Sequence, residues 1–315
     1  MARVLFFFVI MFACAACALV LGIEDKPLRQ TATDVIDTGE IEAGDADAGP
    51  CIPVPQLGCR SCERHDFCDD FDDDAGPFAR WESVGGFPNP FLKGKASITI
   101  DDGGFSPDRA TRMHAEADSG STYALVFHRL PEKDAAGFGG VHYSVQVRVE
   151  TLSFIDSLAG PVPDAASAYI AAIMNVSLAN PEPIGAAILL SESGVYLAAS
   201  TNILETTGAD VVARIYEGNV LSLAQKNWFK FDLYVTDAQR AAALGFNCNA
   251  SNGPVAAARI PSVPPLENKA CIALPDAFGN DSSWANAPVI GVGAGTFGAA
   301  TVGVRHDNVM VDLLE

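Results

Sequence analysis

From Val141 to Val149, valine or tyrosine fills every odd position, while His142, Ser144, Gln146, Arg148 and Glu150 fill the even ones. A period of two is satisfied only by an extended strand with one buried and one polar face. The run Trp228 to Val235 repeats it, with Phe229, Phe231, Leu233 and Val235 opposite Lys230, Asp232 and Tyr234. Further strands are expected at Ala96 to Ile100, Thr122 to Leu130, Ala168 to Leu178, Ile184 to Leu190, Gly194 to Ala199, Val211 to Tyr216, Val289 to Gly293 and Thr301 to Leu313. Glycine, proline, asparagine and aspartate cluster between them. Helical signal is confined to Asp237 to Leu244, capped by Thr236 or Asp237 and stopped by Gly245. Many short strands without interleaved helices predict an all-β fold, a two-sheet antiparallel jelly-roll sandwich with at most one or two short helices.

The chain's opening is of another kind. Behind Arg3, an uncharged apolar run reaches Ile23, so residues 1–23 have the parts of an export signal. Cys14-Ala15-Ala16-Cys17 resembles a bacterial lipobox, which makes Cys17 the expected lipidation site and gives the chain a membrane anchor. An ordinary cleaved signal and an uncleaved anchor are the alternatives, the run being long enough to span a bilayer. All three export the chain, to the outer membrane or cell surface as a lipoprotein or into the medium. Residues 24–50 are acidic and poor in aromatics, the composition of a disordered tether. From Glu24 to Asp74 the net charge is −11, against −8 for the rest of the chain. Such acidity, with no basic stripe in the sequence, argues against nucleic acid as a partner.

Six cysteines follow the signal: Cys51, Cys59, Cys62, Cys68, Cys248 and Cys271. In an exported chain disulfides are their expected state. The first four, in a lead-in at residues 51–68, allow three pairings, and Cys248 with Cys271 would close a loop. Zinc on Cys59-Arg60-Ser61-Cys62 would need reduced thiolates outside the cytoplasm.

Asp69-Asp70-Phe71-Asp72 followed by Trp81, and Val304-Arg305-His306-Asp307-Asn308-Val309-Met310-Val311 at the far end, resemble the opening and closing strands of concanavalin A-like (laminin G-type) lectin and glucanase domains. Trp228-Phe229-Lys230-Phe231-Asp232-Leu233 is similar to their aromatic-led central strand. The resemblance covers residues 65–315, with the sandwich itself at 69–315. The stretch Phe246 to Cys271 departs from it.

The acidic segment HDFCDDFDDDAG, His65 to Gly76, is not an EF-hand, because Ala75 replaces the required glycine and Trp81 the terminal glutamate. As a first strand, it offers Phe67, Phe71 and Phe78 as core anchors, with its aspartates toward solvent. If the first and last strands lie side by side, Asp70 or Asp72 would meet Asp307 and the three are candidate ligands of a structural calcium. The switch of parity between Val302, Val304 and Val309, Val311 and Leu313 predicts a bulge or turn at Arg305 to Asn308.

No catalytic motif is complete. The nearest match to the glucanase E-x-D-x-x-E strand, Glu116 to Ser121, ends in a hydroxyl that cannot replace the acid/base carboxyl, so the chain is expected not to be an enzyme. Gly293 to Gly298 satisfies G-x-G-x-x-G but is followed by another strand pattern, which makes it a glycine-rich strand and turn. The histidines His65, His114, His128, His142 and His306 show no metal-ligand spacing and read as ordinary polar strand residues. An aromatic platform flanked by carboxylates would suit a polysaccharide or surface glycan. Trp228, Tyr234 and Asp232 share one strand face, and Trp284 lies in a polar loop. The expected function is non-catalytic carbohydrate binding, with a structural or adhesive surface protein as the alternative and a polysaccharide-active enzyme as a lesser one.

Overall fold

The computed structural model describes residues 59, 65–72, 78–84, 86–105, 109–131, 139–154, 167–175, 184–202, 204, 211–220, 227–249, 253–261, 268–274 and 288–315. Cys17, Cys51, Cys62 and Trp284 lie outside them. In chain order the strands are β1 (Phe67–Asp69), β2 (Phe91–Lys93), β3 (Lys95–Asp102), β4 (Arg109–Ala117), β5 (Ser121–Arg129), β6 (Gly140–Phe154), β7 (Ser167–Asn175) and β8 (Ile184–Ser191). Then come β9 (Gly194–Ser200), β10 (Val211–Glu217), β11 (Phe229–Asp237), the helix α1 (Ala238–Ala243), β12 (Pro254–Arg259), β13 (Lys269–Ala273), β14 (Val289–Phe297) and β15 (Ala300–Leu314).

They form two antiparallel sheets. The eight-stranded sheet runs β13-β12-β11-β6-β15-β4-β3, with β1 also pairing β15, and the seven-stranded sheet runs β10-β9-β8-β7-β14-β5-β2. This is a jelly-roll sandwich, with the first strand beside the last: Phe67 faces Val311 and Asp69 faces Val309. The inner valines of β6 meet Ile170, Ile173, Ile188 and Val292 of the opposite sheet in the main core.

From Val141 to Glu150 of β6 the odd positions are buried and most even ones less so, whereas in β11 both faces are covered from Phe231 to Thr236. Strand β4 escaped the pattern because its inward residues, Ala110, Thr111, Met113, Ala115 and Ala117, are mostly small. The departure between Phe246 and Cys271 also resolves: β12 and β13 add two strands at the sheet's edge, tied by the Cys248–Cys271 disulfide. The helix is capped as expected, the Asp237 carboxylate accepting the Arg240 N–H at 2.7 Å.

The glycine-rich segment is strand β14 and a turn into β15. Its glycines are needed for close approach. A Cβ on Gly293 would lie 2.2 Å from the Ala124 carbonyl oxygen, and one on Gly295 would lie 2.5 Å from the Tyr123 ring. Those rings belong to a second apolar cluster, with Tyr123, Phe127, Tyr169, Met174 and Tyr196, on the seven-stranded sheet. Because a backbone oxygen cannot yield as a side chain does, Gly293→Ala is expected to lower the unfolding free energy by about 1–3 kcal/mol, the range for overpacked cores, measured by urea denaturation.

Candidate functional site

Two bulges in the β6–β15 ladder arrange the outer face of the eight-stranded sheet. In the first, Gly303 pairs Thr151 and Val304 pairs Val149, so Glu150 is the extra residue. A bulge re-aims the side chain it carries, and the Glu150 carboxylate swings to three arginines. Its Oε1 accepts Nε–H of Arg305 at 2.5 Å and an N–H of Arg148 at 3.0 Å, and Arg112 Nε lies 2.7 Å from Oε2. Burial alone would push the Glu150 carboxyl up, but these partners hold it below its usual value.

The arginines are neighbours by register. Arg305 on β15 stands opposite Arg112 on β4 and Arg148 on β6. Like charges directly opposed across strands cost on the order of 0.2–1 kcal/mol per pair, and the single carboxylate of Glu150 has to offset two such pairs. Beyond Arg148, its guanidinium lies 5.5 Å over the ring of Trp228, which precedes β11 and is half-buried. The Trp228 ring also meets Phe105 edge-on at 6.2 Å. Phe105, 39% exposed, comes from the turn after β3.

That turn is fastened by Asp307. The expected bulge is present between Asp307 and Met310, where Asn308 has φ of 47°. The Asp307 carboxylate is fully buried and accepts the Phe105 N–H at 2.6 Å and the Asn308 N–H at 2.7 Å. A Cβ on Gly104 would sit 2.8 Å from the same carboxylate, so only glycine allows the approach. Among the described residues no group of three His, Cys, Asp or Glu side chains is placed to hold a metal. Asp307 serves here as a backbone anchor, and Asp70 accepts the Asp72 N–H at 3.3 Å in its own turn.

The opening segment is a strand, as expected, with one correction: Asp69 is not on the solvent side. It is 3% exposed, and its carboxylate accepts the Phe71 N–H at 2.8 Å and the indole N–H of Trp81. Burial pushes its pKa up to about 6. Phe71, at φ of 60°, stacks on Trp81 at 5.8 Å and is wholly buried. Cys68 pairs with Cys59.

Farther along the same face, Tyr234 and Asp232 are built into an ion-pair chain. Asp232, 2% exposed, accepts Arg259 Nε–H at 2.9 Å and lies 3.4 Å from His142 and 3.6 Å from Lys230. His142 also reaches Asp312 at 3.4 Å, and His65 donates from Nδ1 to Asp312 at 2.7 Å. The Tyr234 ring stacks on His142 at 4.4 Å, leans on Phe246 at 5.5 Å and donates no open face to solvent. Of the expected platform residues that the structure describes, Trp228 is half-buried, while Asp232 and Tyr234 are buried.

The histidines are not uniformly polar surface residues. His306 points between the sheets, donating Nε2–H to the Ile170 carbonyl at 3.1 Å, beside the β7 irregularity that withdraws Ile170 from pairing with β8. Its burial depresses its pKa to about 3. His128 stacks on Phe67 at 3.9 Å.

Glu116 and Asp118 ion-pair with Lys95 at 3.2 and 3.3 Å, and the segment turns at Gly120 before Ser121 opens β5. The glutamate and hydroxyl therefore lie on different strands.

No protein-family model matches this chain, and no curated protein does. Among solved structures it is similar to a carbohydrate esterase from the Shiga toxin-encoding bacteriophage phi24B, at 11% identity over 78% of this chain and 99% of that one, with a TM-score of 0.38. The exoplasmic/lumenal domain of VIP36 in its Ca2+/Man-bound form is 8% identical over 79% of this chain and 97% of its own, TM-score 0.33. Its metal-free form gives 8%, 79%, 98% and 0.31. The sandwich assignment rests on this chain's own strand order.

The ion-pair chain fixes a pH dependence. Burial alone would lower the His142 pKa, but Asp232 and Asp312 together raise it above the ordinary histidine value. A raised base stabilises the fold below its unfolded pKa and loses that contribution as pH climbs through the folded one. Asp232, although buried, is held well below its usual value by His142, Lys230 and Arg259, so its contribution is present above the unfolded carboxylate pKa and lost as pH falls. Asp232→Asn should therefore destabilise most near pH 5, with the gap to wild type narrowing in both directions. In the same variant the His142 pKa, followed by NMR, is expected to drop, because burial then opposes a single carboxylate.

Proposed function

We propose that this chain is an exported surface protein, anchored through a lipid on Cys17, whose sandwich binds carbohydrate without transforming it. The observation that carries the binding reading is the Trp228–Phe105 pair, an aromatic surface held beside strand-borne hydrogen-bonding side chains. A pyranose ring offers an apolar face to such rings and hydroxyls to the polar groups around them. Gln146, Arg148 and Lys230 are half-buried on the same face, and a strand framework holds such groups at fixed spacing. The two disulfides among the described residues support an oxidising destination. The non-catalytic part of the reading is supported by Glu116, whose carboxylate is engaged by Lys95 at an exposed position.

Two measurements test it. In a polysaccharide panel read by affinity electrophoresis, the full chain is expected to be retarded by at least one glycan, and Trp228→Ala to weaken that retardation about tenfold. A correctly folded chain retarded by none would favour the adhesive alternative. Metabolic labelling with a fatty-acid analogue should mark the wild type and leave Cys17→Ala unmarked; equal labelling would remove the anchor.

A further inference from the structure

In a chain with 39 acidic and 20 basic residues, three arginines stand abreast on adjacent strands, in register, with an aromatic pair at the end of the row. Sequence showed no basic stripe, because these residues lie at positions 112, 148 and 305 and only the strand pairing gathers them. We propose that Arg112 and Arg148, set in a row by Arg305 between them and ending on Trp228, hold the anionic group of an acidic saccharide, a carboxylate or sulfate carried on a sugar ring that lies against Trp228 and Phe105. This rests on the carbohydrate reading above and narrows its ligand class.

The division of labour follows from the contacts. Arg305, with 13% of its side chain exposed, is committed inward: Nε–H goes to Glu150, a terminal N–H goes to the Asp102 carbonyl at 2.8 Å, and the same terminal nitrogen ion-pairs with the Asp101 carboxylate at 2.7 Å. It positions the row. Arg112 is ion-paired with Glu150, its Nε 2.7 Å from Oε2, and keeps 51% of its side chain exposed; Arg148 gives one N–H to Glu150 and keeps 24% exposed. A guanidinium carries five N–H donors in a planar fork that matches a carboxylate or sulfate. The outward chemistry of this corner is thus donors with positive charge.

A neutral sugar needs acceptors as well as donors, and with Glu150 already shared among three arginines the Gln146 amide oxygen stands against a larger set of N–H donors. Charge points the same way. Of the three carboxylates at this corner, Glu150 and Asp101 pair with the arginines and Asp307 is buried on the backbone N–H groups of Phe105 and Asn308, so the charge that the row shows to solvent is carried chiefly by Arg112. The row is also short. Strands lie about 4.8 Å apart, so three arginines span about 10 Å, room for one or two anionic groups. Beyond the row a long polyphosphate would run over acidic surface, whereas a saccharide with one charge per ring gains the row and the aromatic pair together.

Isothermal titration calorimetry of the full chain would use trigalacturonic acid, a sulfated galactose trisaccharide, mannotriose and a short thymidine oligonucleotide. The carboxylated or the sulfated trisaccharide is expected to bind at least tenfold tighter than mannotriose, less tightly as salt is raised, and whichever binds names the anionic group. Arg112→Gln should weaken that binding about tenfold while Trp228→Ala weakens acidic and neutral sugars alike. If Arg112→Gln melts early by circular dichroism, Arg112→Lys keeps the charge without the fork and should fold but still bind more weakly. Wild-type affinity in both variants would overturn the proposal. Equal binding of mannotriose would also overturn it and leave the carbohydrate reading standing; equal binding of the oligonucleotide would replace it with a general polyanion site. If no saccharide binds, both readings fall.

Discussion

The ladder between β6 and β15 is the interaction on which the rest depends. Each strand is 15 residues long, they lie side by side at the centre of the larger sheet, and each carries one departure from regular pairing. Without the bulge at Glu150 its carboxylate would not reach the arginines of the neighbouring strands, and three opposed guanidiniums would face one another unscreened. Without the bulge after Asp307, the residues that follow would present the wrong face to the core, since a one-residue slip exchanges the two sides of a strand. The irregularities therefore serve two ends: they keep the apolar residues inward over a long strand, and they place charged groups that a regular ladder would scatter.

Asp307 and Asp69 show how a buried carboxylate is used here. Each accepts hydrogen bonds from an irregular segment, Asp307 from the turn carrying Phe105 and Asp69 from Phe71 and the Trp81 indole. Burial of an unpaired carboxylate costs several kcal/mol, whereas hydrogen bonds to a charged acceptor return roughly 1.5–3 kcal/mol each. Such bonds fix a loop more firmly than surface ion pairs, worth about 0–1 kcal/mol. The aromatic pair therefore sits on a rigid base.

Much of this was legible in the sequence, and the limits have physical causes. Alternation announced β6 and β11, and the break in parity between Val304 and Val309 announced the second bulge, because both are local. Strand β4 was silent because alanine and threonine give weak contrast between faces. The edge strands β12 and β13 hid within a stretch read as an insertion. Among candidate residues, Trp228, Asp232 and Tyr234 were expected on one face of a strand opening at Trp228, and the strand begins one residue later, at Phe229. The burial of Asp232 and Tyr234 was not foreseen, since Arg259, His142 and Asp312 arrive from three other strands. The arginine row escaped for the same reason: register between strands far apart in the chain leaves no trace in any short window.

The pairing of β1 with β15 bears on when the protein can close its larger sheet. Phe67 and Val311 are partners separated by most of the domain, and the pairs β6–β15 and β4–β15 are almost as remote. A polypeptide delivered from its N-terminus during synthesis cannot complete the central sheet until residues 300–314 have emerged, and contacts of such long sequence separation form slowly. The order of the strands by itself delays closure of the larger sheet until the last strand of the domain is available to pair.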